Sequence, residues 1–211
     1  MSLPIWLLDI DGVINAATLR PPTYVWPADT WIQTKVIGLR IMAAQPVLDF
    51  IREVHEQGRA EIRWHSTWQD DAPKLGAELG LPAFPVADAP EYDQRLKQRA
   101  FGLDGWWKRP AAERVLAEGR PLVWTDDDIT WSLGRRGQDE IRQLGPALLI
   151  APDDRTGLTP KHLRHIADFL DLHPAAMGAD HLGHPLTPMP ATHRAALAGV
   201  DWPTPGQETT R

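Results

Sequence analysis

The sequence predicts an α/β protein with a mostly parallel central sheet and helices on both faces of that sheet. Short apolar segments alternate along the chain with segments of helical period, which is the pattern of consecutive β-α units. Three of the apolar segments are followed directly by acidic or hydroxyl side chains. Because parallel strands end at one edge of a sheet, these polar side chains are expected to meet there.

Composition excludes several classes of protein. The 211 residues suffice for one domain with a full core, and 43% hydrophobic with 24% charged residues is typical of a globular protein. The net charge of -6 argues against a broad basic surface for nucleic acid. The absence of cysteine rules out disulfides and thiolate zinc sites. Without a signal peptide or an apolar run of bilayer length, a cytoplasmic protein with no membrane association is expected.

The first strand is predicted at residues 5–8, a short apolar run that ends in Asp9 and Asp11. Two carboxylates this close repel each other, so a cation or a shared proton is expected beside them. Considered alone, the pair is also explained by an Asp-Gly turn at Gly12.

Residues 16–45 follow without a helical period and contain several prolines. The alternation from Thr30 to Ile37 predicts a β-hairpin or flap near the end of the first strand. A segment of this length beside a proposed site favours a functional role, and a simple extension of the sheet is the alternative.

The later elements follow from apolar periodicity and from the positions of proline and glycine. Strands are predicted at 60–64, 84–87, 121–125 and 147–150. Helices are predicted at 46–57, 70–79 with Asp70 and Asp71 as caps, 106–118, 139–144, and from Pro160 with Thr159 as its cap. Residues 91–100 form a charged helix or loop, and the tail from His173 is rich in proline and glycine, which favours a loose C-terminus.

Polar side chains follow two further predicted strands. Ser66 and Thr67 come after the strand predicted at 60–64. Three acids follow the strand predicted at 121–125: Asp126, Asp127 and Asp128. A chance turn explains any one of the polar clusters but explains the whole set poorly.

A lysine near these clusters would supply the expected cation. Lys108 is preferred to Lys74 and Lys97 because it lies near the start of the helix that precedes the strand predicted at 121–125. The ordinary alternative is that Lys108 is solvated and that Ser66 merely caps a turn.

In their order along the chain, these segments resemble the four motifs of the haloacid dehalogenase-like (HAD) phosphohydrolase superfamily. The motif Asp-x-Asp-Gly matches Asp9 to Gly12, and a Ser or Thr that closes an apolar strand matches Ser66. A single lysine matches Lys108, and a pair of acids that closes a strand matches Asp126–Asp127.

The resemblance covers residues 3–172. It implies a Rossmann-like three-layer sandwich over residues 1–172, with residues 16–45 as a small β-flap or cap insertion, no large cap, and a C-terminal extension at 173–211. A closer similarity, to the branch described as Swiss-army-knife RNA-repair-like proteins, rests on four segments: Asp-Gly-Val-Ile-Asn, Trp-x-Ser-Thr-Trp-x-x-Asp-Ala, Trp-Lys-Arg-Pro and Trp-Thr-Asp-Asp-Asp.

The resemblance also implies the residue roles of a Mg²⁺-dependent phosphatase. Asp9 is the nucleophile that forms an aspartyl-phosphate, and Asp11 is first the general acid and then the general base. The phosphoryl group would be bound by Ser66, Lys108 and a backbone N–H of Thr67 or Ile10. The metal would be held by Asp9, Asp11 through its carbonyl, Asp127 and Asp126. Asp127 is the first choice among the three consecutive acids, and the exact set stays open.

The substrate class follows from the absence of room for a large cap. A site without a lid admits bulky substrates, so the candidates are a phosphorylated small molecule, a nucleotide or a phosphorylated nucleic-acid end. No stable protein partner is predicted. The alternatives are a non-catalytic HAD-like module that binds a metal or a partner, a phosphotransferase, and a dehalogenase.

Overall fold

The computed structural model describes residues 2–87, 89 and 106–174. The strands in chain order are β1 (Ile5–Leu8), β2 (Trp31–Val36), β3 (Leu39–Ala44), β4 (Glu61–Trp64), β5 (Leu122–Thr125) and β6 (Ala147–Ile150). The helices are α1 (Gln45–Glu56), α2 (Ala72–Glu78), α3 (Arg109–Ala117), α4 (Ile129–Leu144) and α5 (Pro160–Leu172).

A four-stranded parallel sheet lies at the centre, with the strand order β4-β1-β5-β6. The predicted α/β class with a mostly parallel sheet is therefore confirmed, and the arrangement is compatible with a Rossmann-like sandwich. Leu8 pairs with Trp64 on one side and with Thr125 on the other. The residues that follow β1, β4 and β5 consequently emerge side by side at one edge of the sheet.

Alternate residues of each strand point to opposite faces of the sheet. Both faces are apolar, and helices cover both of them. Ile5, Leu7 and Trp124 pack in one cluster with apolar residues of α3 and α4. On the opposite face, the ring of Trp6 makes an edge contact with Phe50 of α1 at a centroid distance of 6.0 Å.

The predicted hairpin within residues 16–45 is formed by β2 and β3, which pair antiparallel from Trp31↔Ala44 to Val36↔Leu39. It is joined to the loop after β1 by an isolated bridge between Asn15 and Ala43. The hairpin is thus attached directly beside the two acids that follow β1.

Several local predictions were wrong. The helix predicted at 139–144 is the second part of α4, which begins at Ile129 and bends at Gly134, where the backbone leaves helical geometry. Asp71 occupies the position before α2 without a capping bond from its side chain, because residues 69–71 already form a tight helical turn. Of the strand predicted at 84–87, only a single bridge between Val86 and Trp64 is present.

Other predictions fall outside the described residues. These include the charged segment at 91–100, Lys97 and all but the first two residues of the C-terminal extension, so the division into a domain and an extension stays a prediction. Among the described residues, none of the helices has the length and apolar character needed to cross a bilayer.

Candidate active site

The edge formed by the ends of β1, β4 and β5 collects the side chains that the sequence marks as functional. Asp9 continues β1, and its N–H donates to the carbonyl of Thr125 at 3.1 Å. His65 continues β4, and its N–H donates to the carbonyl of Leu8 at 2.8 Å. These backbone bonds extend the sheet by one residue and hold the site residues on an ordered frame.

Asp9 is buried, and both of its carboxylate oxygens have partners. Oδ1 accepts a hydrogen bond from the N–H of Ile10 at 2.7 Å, and Oδ2 lies 2.5 Å from Nζ of Lys108. The N–H of Ile10, one of the two predicted donors to a phosphoryl group, therefore bonds to Asp9 in this structure.

Lys108 is the cation of the site. It is buried immediately before α3, and its Nζ lies 2.5 Å from Oδ2 of Asp9 and 2.5 Å from Oδ2 of Asp126. Burial alone would lower the pKa of Lys108, but attraction to Asp9 and Asp126 outweighs it and raises the pKa above its ordinary value. The ammonium also lies 5.7 Å from the ring centroid of Trp106 and 5.6 Å from that of Trp107.

The other described candidate for this cation, Lys74, pairs instead with Asp71 at 2.7 Å on the surface. Its side chain is two-thirds exposed to solvent. The geometry therefore separates two lysines that the sequence left as competitors.

Asp126 is completely buried, and both of its oxygens are engaged. Oδ2 contacts Lys108, and Oδ1 accepts a hydrogen bond from the N–H of Asp128 at 3.0 Å. Burial raises the pKa of Asp126 well above its ordinary value, repulsion from Asp9 adds to this, and Lys108 opposes it.

Asp127 is half-buried beside the same cluster. Burial raises its pKa to about 6, and repulsion from Asp9 and Asp128 contributes to the rise. One carboxylate oxygen from each of Asp9, Asp126 and Asp127 lies within 4.8 Å of the others, so this group could hold a metal ion.

Gly12 makes the position of Asp127 possible. Its φ of +68° is in the left-handed region, and a Cβ atom added there would overlap the carboxylate of Asp127. The glycine of the Asp-x-Asp-Gly segment is thus needed both for the turn and for the close approach of an acid from the end of β5.

Asp11 differs from the three grouped acids. It is exposed, and its side chain lies outside that group. Oδ1 accepts a hydrogen bond from Nδ2 of Asn15 at 2.7 Å, and Oδ2 accepts one from Nε1 of Trp68 at 2.8 Å. The carboxylate is therefore oriented by two neutral side chains.

Ser66 and Thr67 differ in burial. Ser66 is buried, its Oγ accepts a 3.4 Å hydrogen bond from the N–H of Trp68, and its carbonyl accepts one from Nε2 of Gln69 at 2.5 Å. Thr67 is exposed. The predicted role of Ser66 as a turn cap and its role as a phosphoryl ligand are both compatible with this geometry.

Sequence reasoning missed the partners of Asp11. These partners are Asn15 and Trp68. Both belong to segments already singled out, Asp-Gly-Val-Ile-Asn and Ser-Thr-Trp, but spacing along the chain does not reveal which polar atoms converge in space.

His65 is buried at the same edge, and its ring nitrogens have no hydrogen-bond partner among the described residues. Its ring centroid lies 5.6 Å from that of Trp107 and 5.7 Å from that of Trp124. Burial lowers the pKa of His65 well below its ordinary value, with repulsion from Lys108 and Arg114 adding to this. The imidazole of His65 is therefore neutral and packs between aromatic rings.

Searches of protein-family models, of curated proteins and of solved structures give no match to this chain.

Proposed function

We propose that this protein is a Mg²⁺-dependent phosphohydrolase of the HAD type that forms an aspartyl-phosphate on Asp9. One observation carries the proposal. Lys108 is held between the carboxylates of Asp9 and Asp126, while Asp11, which is two residues after Asp9, is exposed to solvent. A nucleophile beside a buried cation and a separate proton carrier are the two parts that such a reaction needs.

In the first step, an oxygen of the Asp9 carboxylate attacks phosphorus, and the bond between phosphorus and the leaving oxygen breaks. Asp11 in its acid form gives its proton to that oxygen, so an alcohol leaves and an aspartyl-phosphate remains. Lys108 neutralises negative charge that develops beside Asp9, and Ser66 offers its hydroxyl to a phosphoryl oxygen.

In the second step, water attacks the aspartyl-phosphate. Asp11, now a carboxylate, accepts the proton of the attacking water, and the bond between phosphorus and Asp9 breaks. Inorganic phosphate leaves, Asp9 regains its negative charge, and Asp11 regains its acid form, so the cycle closes.

The acids of the site fit a hard divalent cation, because all of the donor atoms are oxygens. Asp9 and one of the acids after β5 would hold the ion, and Asp127 is preferred to Asp126 because the carboxylate of Asp126 is completely buried and bonded at both oxygens. Bound Mg²⁺ would neutralise charge on the phosphoryl oxygens.

The substrate proposal is broader: a phosphorylated small molecule, a nucleotide or a phosphorylated nucleic-acid end. It is supported by the small size of the hairpin β2–β3, which is attached next to Asp11 through Asn15, because a small insertion leaves a site open to bulky substrates. The cytoplasmic location likewise stays a prediction.

The test measures phosphate release from p-nitrophenyl phosphate, nucleotides and phosphorylated oligonucleotides. We expect turnover with Mg²⁺, none with EDTA, and none in Asp9→Asn. Asp49→Asn on α1, a half-buried acid that is paired with Arg52, is the matched control and should retain activity.

Three outcomes would revise the proposal. A folded protein that binds Mg²⁺ and turns over no substrate would instead be a binding module. Phosphate that appears on an added alcohol and not in solution would indicate a phosphotransferase. Full activity in Asp9→Asn would contradict the nucleophile.

A further inference from the structure

Each oxygen of the Asp11 carboxylate accepts a hydrogen bond from a different part of the chain. Asn15, four residues further on, donates from Nδ2 at 2.7 Å, and Trp68, in the loop after β4, donates from Nε1 at 2.8 Å. An exposed carboxylate without such partners rotates freely about its side-chain bonds. This one is held on both sides.

The orientation of the Asn15 amide is determined by its second partner. Its Oδ1 accepts a hydrogen bond from the backbone N–H of Met42 in β3 at 2.8 Å, and that N–H can only donate. The oxygen of the amide must therefore face β3, and its NH₂ group must face Asp11. Asn15 is itself buried, so it is a rigid support.

The direction of the hydrogen bond from Trp68 to Asp11 is unambiguous, because an indole nitrogen can only donate. The backbone N–H of Trp68 bonds to Oγ of Ser66 at 3.4 Å, which places the indole on the same loop as a proposed phosphoryl ligand. Trp68 thereby connects the end of β4 with the acid that follows β1.

We propose that Asn15 and Trp68 are positioning residues that aim the carboxyl group of Asp11 at the leaving oxygen of the substrate. This inference rests on the proposed phosphohydrolase function. Each donor occupies one lone pair of its carboxylate oxygen, so the other lone pairs remain free to carry the transferred proton. Loss of a donor would leave Asp11 in place but let its carboxyl group turn away.

Leaving groups distinguish this role from a structural one. An alkyl phosphate such as glycerol phosphate releases a basic oxygen that needs a proton in the transition state, whereas p-nitrophenolate leaves without one. The comparison uses kcat/KM, which covers only the steps up to formation of the aspartyl-phosphate and so leaves out the second step, in which Asp11 is the base. We expect Trp68→Phe, which keeps the ring and removes the N–H, to lower kcat/KM on the alkyl phosphate about 10- to 100-fold. On p-nitrophenyl phosphate we expect kcat/KM to change by less than about 3-fold, because general acid catalysis contributes little there.

Trp31→Phe is the matched control. It also removes an indole hydrogen bond, from Nε1 to the carbonyl of Trp26 at 3.2 Å, which involves no carboxylate. We expect the ratio of the two kcat/KM values to equal that of the wild-type protein. Circular dichroism of each variant verifies that it is folded.

A double-mutant cycle covers the case in which Trp68→Phe changes the loop more widely. If Trp68 acts through Asp11, then Trp68→Phe causes no further selective loss of activity on the alkyl phosphate in a protein that already carries Asp11→Asn. Asn15→Ser, which shortens the donor, should repeat the selective loss on the alkyl phosphate.

The outcomes separate this inference from the function on which it rests. Selective loss on the alkyl phosphate that disappears in the Asp11→Asn background supports the positioning role. Equal losses on both substrates, no loss, or a loss that persists without the Asp11 carboxylate overturns it while the phosphohydrolase stands. A wild-type protein without Mg²⁺-dependent, Asp9-dependent turnover overturns both.

Discussion

Two lysine–aspartate ion pairs of this protein have similar lengths and opposite surroundings. The N–O distance is 2.5 Å between Lys108 and Asp9, and it is 2.7 Å between Lys74 and Asp71. The side chains of the first pair are 4% and 8% exposed, whereas those of the second are 66% and 38% exposed.

The difference shows that burial, and not distance, determines what an ion pair does here. Water solvates Lys74 and Asp71 whether or not they meet, so the pair contributes little to stability. Around Lys108, each charge depends on its protein partners, because water is largely excluded. Such clusters with shifted pKa values concentrate at functional sites.

The strongest test of this contrast is removal of each lysine. Lys108→Met leaves the carboxylates of Asp9 and Asp126 close together without their cation, so we expect the free energy of unfolding to fall by about 3–5 kcal/mol. Urea denaturation followed by circular dichroism measures it. For Lys74→Met we expect an unchanged urea midpoint.

A second variant shows whether unpaired charge is the cause. Adding Asp126→Asn to Lys108→Met removes one of the two buried carboxylates, so part of the lost stability should return. Equal tolerance of Lys108→Met and Lys74→Met would show that burial does not separate the two pairs.

The close packing of the buried cluster gives the next prediction. Gly12→Ala adds a Cβ where the carboxylate of Asp127 lies and places alanine at a positive φ. We expect a loss of about 2–4 kcal/mol, from overpacking together with the left-handed backbone. Thermal or urea unfolding measures it.

Gly58→Ala is the matched control for Gly12→Ala, because its φ is also positive and nothing lies within 4 Å of the added Cβ. It should lose only about 1 kcal/mol, the backbone contribution alone. Equal losses in the two variants would mean that the approach of Asp127 imposes no steric demand.

The smallest expected change in the free energy of unfolding is an increase, in Asp127→Asn. The folded protein raises the pKa of Asp127 above its ordinary value to about 6, chiefly through burial. In the metal-free protein this group therefore lowers stability as the pH rises from about 4 through about 6. Asp127→Asn should raise the metal-free stability by about 1 kcal/mol near pH 7, a value reduced because half of the side chain is solvated.

The gain should vanish at about pH 3, where the carboxyl group is protonated in both the folded and the unfolded state. Urea titrations at the two pH values, with EDTA present, measure it. Asp127→Asn should also abolish any stabilisation by added Mg²⁺. A variant that is less stable than the wild-type protein at neutral pH would contradict the unfavourable electrostatics at Asp127.

Most of the fold could be predicted from the sequence, because the strands of the central sheet are short apolar runs bounded by turn residues. The run at 147–150 coincides with β6, and Thr159 caps α5 through its bond to the N–H of His162. The start of α4 was missed because Gly134 interrupts the apolar period, so the first turns carry no recognisable pattern.

The site was predictable to the extent that it follows from strand ends. Asp9, Ser66 and Asp126 lie at one edge because β1, β4 and β5 are parallel neighbours. The partners of Asp11 and the steric role of Gly12 were not predictable in detail, because they depend on which atoms meet across loops far apart in the chain.

Local pattern therefore accounts for the elements of this protein and for the edge at which its acids gather, since hydrophobic period and turn chemistry act over a few residues. Packing accounts for the different environments of those acids. Asp9 and Asp126 share a buried cation, Asp127 lies against a glycine, and Asp11 is oriented by Asn15 and Trp68. Burial and hydrogen-bond partners arise from contacts between distant segments, and these contacts exist only once the chain has folded.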